Sequence, residues 1–441
     1  MIGQNSTYKS PSYYVRKRLF ANKPAVFGLI VIILANIIAL LGYLIMPDDT
    51  HNANDGSPEL QRKPPFFQAT ILKFHKDFEV TQPSVWLQMF VGKEKAFILQ
   101  PVLKYRIERD SLYYVGYNDV KQIDESLLGK GKNREKYKER EKQKQEERNK
   151  EKSIALIRVV KPLYSSASTK LDSSGVLFRT EGQQVHYIDR NDQVQTISLS
   201  ELQAEFHKNH IEKRTYYLGT DKAGRDLLSR LLFGTRISLG IGFVSLLISL
   251  VVGIVLGAIG GFFGGFIDNF VNWLMTVVWS IPSIMLVIAI SLALQSKGIW
   301  VAFIAVGLTM WVDVARVVRG EILMLKQKLF VEAARAFGLT SGRIIFRHIL
   351  PNMLGSLIVI SSSNFASAIL VEAGLSFLGL GVQPPMPSWG MMVNDGFHAL
   401  ISADNWYLVV FPSFAISILV LAFNLLGNGL RDAYDPNTQT K

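Results

Sequence analysis

Six apolar runs of membrane-spanning length constrain this chain of 441 residues more than any other feature of its sequence. They cover about residues 24–47, 237–260, 270–294, 299–318, 352–371 and 406–426. A transmembrane helix needs about 20 mainly apolar residues, and in lipid the helix itself must satisfy every backbone polar group. The sequence therefore predicts an all-α polytopic membrane protein with six transmembrane helices.

The charges that flank the first run predict its orientation. Basic residues at positions 16–18 and 23 precede the run, and Asp48 and Asp49 follow it. Because cytoplasmic flanks are rich in Lys and Arg, residues 1–23 are expected to be a cytoplasmic N-terminal segment and residues 24–47 the first transmembrane helix. A cleaved signal peptide is the alternative, but the run is longer than a typical signal core and no small-x-small cleavage site follows it. Six crossings then return the tail, residues 428–441, to the cytoplasm.

Residues 48–215 are expected to form an inserted extracytoplasmic domain, because no further run of spanning length occurs there. Short β-rich pieces such as Phe97–Ile107 and Gln184–Ile188 favour an α+β fold. The charged run Lys130–Lys152 is interpreted as a solvated helix or a disordered arm rather than a binding site. The chain has no cysteine, so the domain must hold together without disulfides and cannot use thiol chemistry.

A polar stretch at residues 319–351 separates the fourth and fifth runs, and its Lys and Arg greatly outnumber its Glu. Residues 327–337 are mostly strong helix formers, and Gly338 is placed as a C-terminal stop. Thr340 or Ser341 can cap a second short helix before Pro351 opens the next apolar run. The pattern predicts helix, tight turn and helix in a loop that the charge rule places in the cytoplasm.

Several residues of this loop resemble the EAA loop of ABC-importer permeases, the element that docks into a groove on the ATPase subunit. The matching residues are Glu332, Ala333, Ala334, Gly338, Arg347, His348, Leu350 and Pro351. His348 stands where the general pattern has isoleucine, and the Arg347-His348 version is typical of the oligopeptide/dipeptide/nickel branch. The resemblance implies the type I importer permease fold, with a five-helix core at residues 237–427 and the coupling loop at 319–351. A basic loop without a partner is the alternative.

Two more stretches resemble the same branch. Residues 216–236 are interpreted as an amphipathic elbow on the membrane surface, which contains Gly219, Thr220, Asp221, Gly224, Arg225 and Asp226. In that elbow, local backbone capping is favoured over contact with a solute. The second stretch is interpreted as an outer gate or extracytoplasmic contact, which contains Glu372, Gly374, Phe377, Gly379, Gly381, Pro384, Pro385 and Trp389.

The resemblance implies a non-catalytic subunit of a binding-protein-dependent importer for peptides in the bacterial inner membrane. Its implied partners are a second, different permease subunit, two ATPase subunits, an extracytoplasmic solute-binding protein and membrane lipid. The chain has no phosphate-cradling glycine loop, so ATP and Mg²⁺ are expected on the ATPases, with no cofactor, metal site or catalytic residue here. The net charge of +12 lies largely beside the apolar runs, which disfavours a nucleic-acid partner.

Other functions stay open at this point. The solute of such a permease could be nickel or another small molecule. The chain could also be a membrane-anchored sensor or assembly protein that acts through its extracytoplasmic domain, although such a protein would need no basic docking loop. A proton-coupled carrier would usually show internal repeats and ionisable residues in the middle of its spans, and neither feature is found.

Overall fold

A computed structural model describes residues 11–76, 80–117, 150–163, 177–189, 192–296, 298–400 and 403–435. These residues form two compact units, a membrane unit (residues 1–45 and 230–441) and an inserted unit (Met46–Ser229). The α-helices of the described residues are α1 (Pro11–Ala21), α2 (Lys23–Ile45), α3 (Val85–Val91), α4 (Leu156–Val160), α5 (Leu199–Asn209), α6 (Leu227–Phe263), α7 (Gly265–Ser280), α8 (Ser283–Ala293), α9 (Ile299–Leu325), α10 (Leu329–Ala336), α11 (Ser341–Ile344), α12 (Leu354–Phe377), α13 (Trp389–Phe397) and α14 (Tyr407–Tyr434).

Within the described part of the chain, five helical segments are long and apolar enough to cross a membrane. They are Lys23–Ile45, Leu227–Phe263, Ile299–Leu325, Ser341–Phe377 and Tyr407–Tyr434. The bent pair α7 and α8 gives a sixth crossing if the two helices are counted as one span. The predicted fold class, a helical membrane protein with a sheet-containing insertion, is confirmed.

The expected third span, residues 270–294, is broken in the middle. Helices α7 and α8 meet at 95°, with Ile281 and Pro282 between them. Ile281 is extended at φ −89° and ψ 128°, because the residue before a proline is disfavoured in the helical region. Pro282 also lacks the backbone N–H that an unbroken helix would need. The predicted third span is therefore a bent pair of helices, which forms one crossing only if α7 and α8 are counted together.

The expected amphipathic elbow at residues 216–236 is not a separate helix. Residues 217–226 lie in turns and short bridges, and α6 then runs without a break from Leu227 to Phe263. The Asp226 Oδ2 atom accepts a 2.8 Å hydrogen bond from the Ser229 N–H, which satisfies one of the free donors of the first helical turn. Without a proline or an interior cap after Asp226, the surface segment and the predicted second span form one helix.

Helix α6 lies close to α9 along a row of glycines. A Cβ atom on Gly253 would lie 2.5 Å from the Val314 Cβ, and one on Gly257 would lie 2.5 Å from the Ala315 carbonyl oxygen. Gly261 continues the row, 3.0 Å from the Arg319 carbonyl oxygen. The spacing of four residues places these glycines on one face, where two helix backbones approach each other.

The inserted unit has an α+β fold built on two antiparallel sheets. Its strands are β1 (Phe67–His75), β2 (Phe97–Glu108), β3 (Ser111–Gly116), β4 (Lys152–Ala155), β5 (Phe178–Glu181), β6 (Gln184–Ile188), β7 (Val194–Ser198) and β8 (Ile211–Tyr216). One sheet has the order β4-β3-β2-β1-β8 and the other the order β5-β6-β7. Helices α4 and α5 contribute Leu156, Val159, Leu202 and Phe206 to a core that also contains Leu72 and Leu112.

Strands β1 and β8, the first and last of the large sheet along the chain, bring the two ends of the insertion together. Strands β1 and β8 are antiparallel neighbours, with Phe67 opposite Tyr216. The compact unit extends to Ser229, beyond the boundary at residue 215 that the sequence predicted. The charged run Lys130–Lys152 lies mostly outside the described residues, which resume at Lys150.

Candidate functional site

The basic loop at residues 319–351 contains a helix that ends in a tight left-handed turn. Helix α9 extends into the expected loop as far as Leu325, and α10 follows after a short turn. Gly338 has φ +74°, its N–H donates to the Arg335 carbonyl at 2.9 Å, and the Leu339 N–H donates to the Ala334 carbonyl at 3.2 Å. This pair of bonds is a Schellman motif, which requires a residue in the left-handed region after the helix. The structure places the glycine stop where the sequence predicted it.

One face of the loop is buried against three spans. Val331 and Ala334 from α10, with Ile344 from α11, share a core with Val318 of α9. The same core contains Ala258 and Phe262 from α6 and Leu357 from α12. The Arg335 guanidinium adds a cation–π contact, 5.2 Å from the centre of the Phe262 ring. Because close-packed interiors transmit displacement, a force on α10 reaches the three spans together.

The opposite face of the loop is exposed and partly apolar. Glu332 and Ala333 are exposed, as the predicted docking role requires, whereas Ala334 is buried. Leu329 and Phe337 are 82% and 85% exposed, which is unusual for large apolar side chains. The sequence reasoning did not single out these two residues. Both residues lie outside the face of α10 that contains Val331 and Ala334, in a segment that is otherwise basic. That position in the sequence is the signal that could have identified them.

The second half of the loop passes through irregular helical turns into α12. Helix α11 begins after Thr340, whose side chain makes no capping hydrogen bond. Arg347 and Pro351 are exposed, and His348 is half-buried. Leu350 packs at the edge of the core that holds α10. The predicted loop residues therefore lie on one continuous element rooted in the membrane unit.

The predicted outer segment folds as a turn that returns to a short helix. Helix α12 ends in a second Schellman motif, with Gly379 at φ +75° and the Leu380 N–H donating to the Leu375 carbonyl at 3.1 Å. The chain then folds back onto α12, since a Cβ atom on Gly381 would lie 2.2 Å from the Ser376 Oγ atom. Pro384 and Pro385 are exposed at the end of this turn.

A buried polar cluster holds the base of the outer segment. Glu372 is 1% exposed, and its Oε1 atom accepts a 2.7 Å hydrogen bond from the Ser376 hydroxyl. The Ser376 oxygen in turn accepts a 3.2 Å bond from the Val382 N–H. The carboxylate therefore stabilises the turn through Ser376.

Helix α13 packs back onto α12 and onto the start of α6. The Trp389 indole N–H donates to the Leu231 carbonyl at 2.9 Å, and a Cβ atom on Gly390 would lie 2.5 Å from the Ala373 carbonyl oxygen. The Phe377 ring lies edge-on to Phe397, with 5.6 Å between the ring centres. Gly374 faces α8, because its Cβ position lies 3.1 Å from the Ile284 Cδ1 atom. All eight predicted residues of this group lie in one feature of the membrane unit.

The predicted elbow residues form a buried polar turn in the inserted unit. Asp221 Oδ1 accepts the Ala223 and Arg225 N–H groups at 2.8 and 3.0 Å, and Asp221 Oδ2 accepts a 2.7 Å bond from the Arg225 side chain. Thr220 is fully buried, and its hydroxyl bonds to the backbone of Leu60.

The glycines and the last carboxylate of this turn also have structural roles. Gly224 has φ +74°, and a Cβ atom there would lie 1.9 Å from the Ser57 carbonyl oxygen. Gly219, at φ +84°, accepts the Leu227 N–H at 3.1 Å. Burial raises the pKa of the Asp226 carboxyl, whereas its two hydrogen bonds from Ser229 oppose that shift. Asp221 bonds to the backbone of its own turn and Asp226 caps α6, whereas Thr220 bonds to the distant backbone of Leu60 and Lys63.

The membrane unit also contains a cavity, lined by both polar and apolar side chains, that the sequence reasoning did not identify. It has a volume of about 610 Å³ and lies among helices α9, α12 and α14. Its polar lining includes Glu321, Ser356, Ser363, Asn424, Asn428 and Arg431. The signal for it is the row of serines and asparagines inside two otherwise apolar runs, because polar residues within spans usually face a cavity or another helix.

Two family models match the chain. Residues 253–440 match the model described as the binding-protein-dependent transport system inner membrane component. Residues 10–65 match the model described as the N-terminal transmembrane domain of oligopeptide transport permease C. The two matches lie on either side of most of the inserted unit.

Curated relatives agree with these matches. The glutathione transport system permease protein GsiD of Pectobacterium atrosepticum is 43% identical over 225 residues, which are 51% of this chain and 74% of that protein. The oligopeptide transport system permease protein OppC of Escherichia coli K12 is 45% identical over 50% of this chain and 72% of that protein. The dipeptide transport system permease protein DppC of Bacillus subtilis is 40% identical over 50% and 68%.

A solved structure is also similar to part of the chain. The inward-facing MetNI methionine ABC transporter has a chain that is 21% identical, with a TM-score of 0.39. The similarity covers 47% of this chain and 97% of that chain.

Proposed function

Because the chain belongs to the family of binding-protein-dependent transport system inner-membrane components, we propose that it is one of two different permease subunits of a peptide importer. The family membership confirms that the chain is a multi-pass transport permease. Family membership does not determine the solute, the partners or the orientation in the membrane. They are proposals that rest on features of the chain.

Exposed residues of the basic loop are the observation that supports coupling to an ATPase. Phe337 and Leu329 offer apolar side chains for a partner groove, and Glu332 lies exposed between them in the sequence. Protein interfaces gain most of their affinity from a few such anchors at the centre of the contact. The buried face of the same helix packs on α6, α9 and α12, so that closure of the partner ATPases would displace the three spans as a group.

Peptides are the proposed solute class. The relatives are named for glutathione, oligopeptide and dipeptide transport. The cavity of the membrane unit suits such solutes, because it offers the Glu321 carboxylate, the Arg431 guanidinium and the Asn424 amide in one space. A peptide presents both charges and many hydrogen-bonding groups, which these side chains match.

The remaining partners follow from the same proposal. The chain would carry both termini in the cytoplasm of a bacterium and would receive solute from an extracytoplasmic binding protein. It would perform no chemistry itself, since ATP and Mg²⁺ would bind to the two ATPase subunits. The segment that contains Glu372 and Trp389 would form the outer gate, because it folds back over the end of α12.

Charge reversal at Glu332 and truncation of Phe337 test the docking surface. Glu332→Lys and Phe337→Ala should each reduce co-purification of the ATPase subunits and peptide uptake, while the permease stays in the membrane at its normal level. Both side chains are exposed, so neither change should disturb the fold. Phe266→Ala is the matched control, because Phe266 is also 85% exposed but lies outside the loop. Normal uptake and normal ATPase association in both loop variants would exclude this surface as the docking site.

A further inference from the structure

A short apolar helix protrudes from the inserted unit. Helix α3 has the sequence VWLQMFV, and it contains neither a charged residue nor a buried one. Trp86 is 79% exposed and Phe90 is 62% exposed, and Val85, Leu87 and Val91 are exposed as well. Such a concentration of large apolar side chains on a protein surface usually marks a contact with a partner or with a membrane.

Hydrogen bonds hold this helix in a defined position. The Gln88 side chain donates to the Pro83 carbonyl at 2.7 Å, just before the helix. Gly92 ends the helix at φ +80°, and its N–H donates to the Gln88 carbonyl at 2.9 Å. The exposed apolar side chains therefore belong to a folded helix of the unit.

The C-terminal end of α3 is bound to the residues that directly follow the first transmembrane helix. The Lys93 N–H donates to the Asp49 carbonyl at 2.8 Å, and the Lys93 side chain pairs with the Asp49 carboxylate at 2.9 Å. The His51 Nδ1 atom lies 2.9 Å from the Val91 carbonyl oxygen. Helix α2 ends at Ile45, so Asp49 is four residues beyond the span, at most about 14 Å along an extended chain.

We propose that α3 is an interfacial anchor that inserts its apolar side chains into the bilayer, in the leaflet on the side where the inserted unit lies. The bonds to Asp49 and His51 keep α3 at the level where the chain leaves the lipid. Tryptophan and phenylalanine at that level have the composition of membrane-interface segments, whose apolar faces enter the boundary between headgroups and acyl chains. The polar residues Gln82 and Glu94 flank the helix and bond to each other, the Gln82 amide donating to the Glu94 carbonyl at 2.6 Å.

The short tether favours lipid over a soluble partner. A binding protein that docked on α3 would have to approach a helix held within a few residues of the membrane surface. Lipid is present there without any approach, and it needs no matching shape. The proposal does not depend on the transport function, since it rests on contacts within the inserted unit alone.

Site-directed fluorescence with lipid quenchers tests the proposal. The cysteine-free chain allows one environment-sensitive label at Leu87→Cys or Phe90→Cys, in the full importer in nanodiscs of phosphatidylethanolamine and phosphatidylglycerol. Replacing part of the lipid with phosphatidylcholine that carries a spin label near the headgroup should quench both labels. A label at Gln184→Cys, exposed in the hairpin of the small sheet outside α3, gives the reference level of quenching.

A double substitution separates membrane insertion from simple proximity. Trp86→Glu with Phe90→Glu should abolish the quenching of the Leu87→Cys label, because two carboxylates oppose insertion into the interface. The fold should survive, since α3 has no buried residue. Quenching at Leu87→Cys and Phe90→Cys no greater than at Gln184→Cys would overturn the proposal. So would a label that becomes shielded only when a binding protein is added.

Discussion

Gly338 is the residue whose backbone conformation decides the shape of the basic loop at residues 319–351. Its φ is +74°, and no atom lies within 4 Å of the position that a Cβ would take, so a substitution there is opposed by the backbone alone. The left-handed region costs an ordinary L residue about 1–2 kcal/mol, whereas asparagine tolerates it better. A substitution at Gly338 therefore tests the effect of backbone conformation without any steric overlap.

Gly338→Ala should lower ATPase association and peptide uptake, and Gly338→Asn should retain most of both. The reason is that alanine opposes the left-handed turn that ends α10, so the exposed face of the helix would lose its fixed position. Measurements of uptake in vesicles and of ATPase co-purification check the order of the two variants. Equal activity of the alanine and asparagine variants would show that the turn does not control docking.

Glu212 gives the inserted unit an acid-sensitive contact. Its carboxylate accepts a 3.0 Å hydrogen bond from Arg214 and pairs with Lys73 at 2.7 Å. Burial alone would raise the pKa of Glu212, but these bonds outweigh it and lower the pKa from 4.5 to about 2. A carboxylate with a lowered pKa stabilises the fold fully above its unfolded pKa, and that stability is lost as the pH falls from about 4.5 towards 2.

Glu212→Gln should destabilise the inserted unit by about 1–2 kcal/mol at pH 7, a value reduced for solvent screening because the side chain is about a third exposed. The difference from the native sequence should disappear near pH 2. Urea titrations of the full-length protein, read by a label at Gln184→Cys, measure the effect. Glu181→Gln, which removes an exposed ion pair to Arg179, should change stability little at any pH.

At the scale of elements, the contact between α6 and α9 depends on glycines, which have no side chain to keep the two helices apart. Gly253 and Gly257 allow the backbones to approach to a distance at which a Cβ would overlap Val314 and Ala315. The attraction across this face is therefore mainly van der Waals packing, which is the chief attraction between helices in lipid.

Gly257→Leu should weaken the packing of α6 on α9 by about 1–3 kcal/mol, because the new side chain forces the two helices apart. Gly240→Leu in the same helix is the matched control, since nothing lies within 4 Å of a Cβ there. Thermal aggregation of the purified protein in detergent should begin at a lower temperature for Gly257→Leu only. Similar onset temperatures for both variants would argue against a close helix contact at Gly257.

At the scale of the whole molecule, the orientation in the membrane is open to a direct test. Gln184→Cys in the inserted unit should react with an impermeant thiol reagent added outside the cell. Thr340→Cys in the basic loop should react only after the membrane is opened. Both residues are exposed, and the chain has no cysteine of its own, so the label reports on these positions alone. The opposite pattern of labelling would reverse the proposed topology.

The inserted unit can be removed where its ends already meet. Phe67 lies opposite Tyr216, and the Thr220 hydroxyl accepts the Lys63 N–H at 2.8 Å, so residues 67–216 can be replaced by a two-residue Asn-Gly turn. The match to the N-terminal family model ends at residue 65, just before this junction. If the unit contacts the binding protein or the second permease, the excised chain should keep ATPase association but need more binding protein for half-maximal uptake. An unchanged dependence on binding-protein concentration would make the insertion a passive addition.

The sequence by itself determined the features that depend on local chemistry. Apolar runs of sufficient length determined the spans, because lipid leaves a backbone few alternatives to a helix. Gly338 predicted the end of α10, since a residue at that position must adopt positive φ. The order of the family motifs predicted the permease, which the family match confirmed.

Only the tertiary structure decided which distant residues meet. Arg319 forms two hydrogen bonds with Asp268 across 51 positions, at 2.5 and 2.8 Å, and no local pattern indicates that pairing. The same holds for Thr220, whose partners Leu60 and Lys63 are more than 150 positions away. The exposure of Phe337 likewise depends on which face of α10 the spans cover. Local preferences depend on neighbours in the chain, whereas contacts and exposure depend on how separate elements pack, and packing depends on all of them at once.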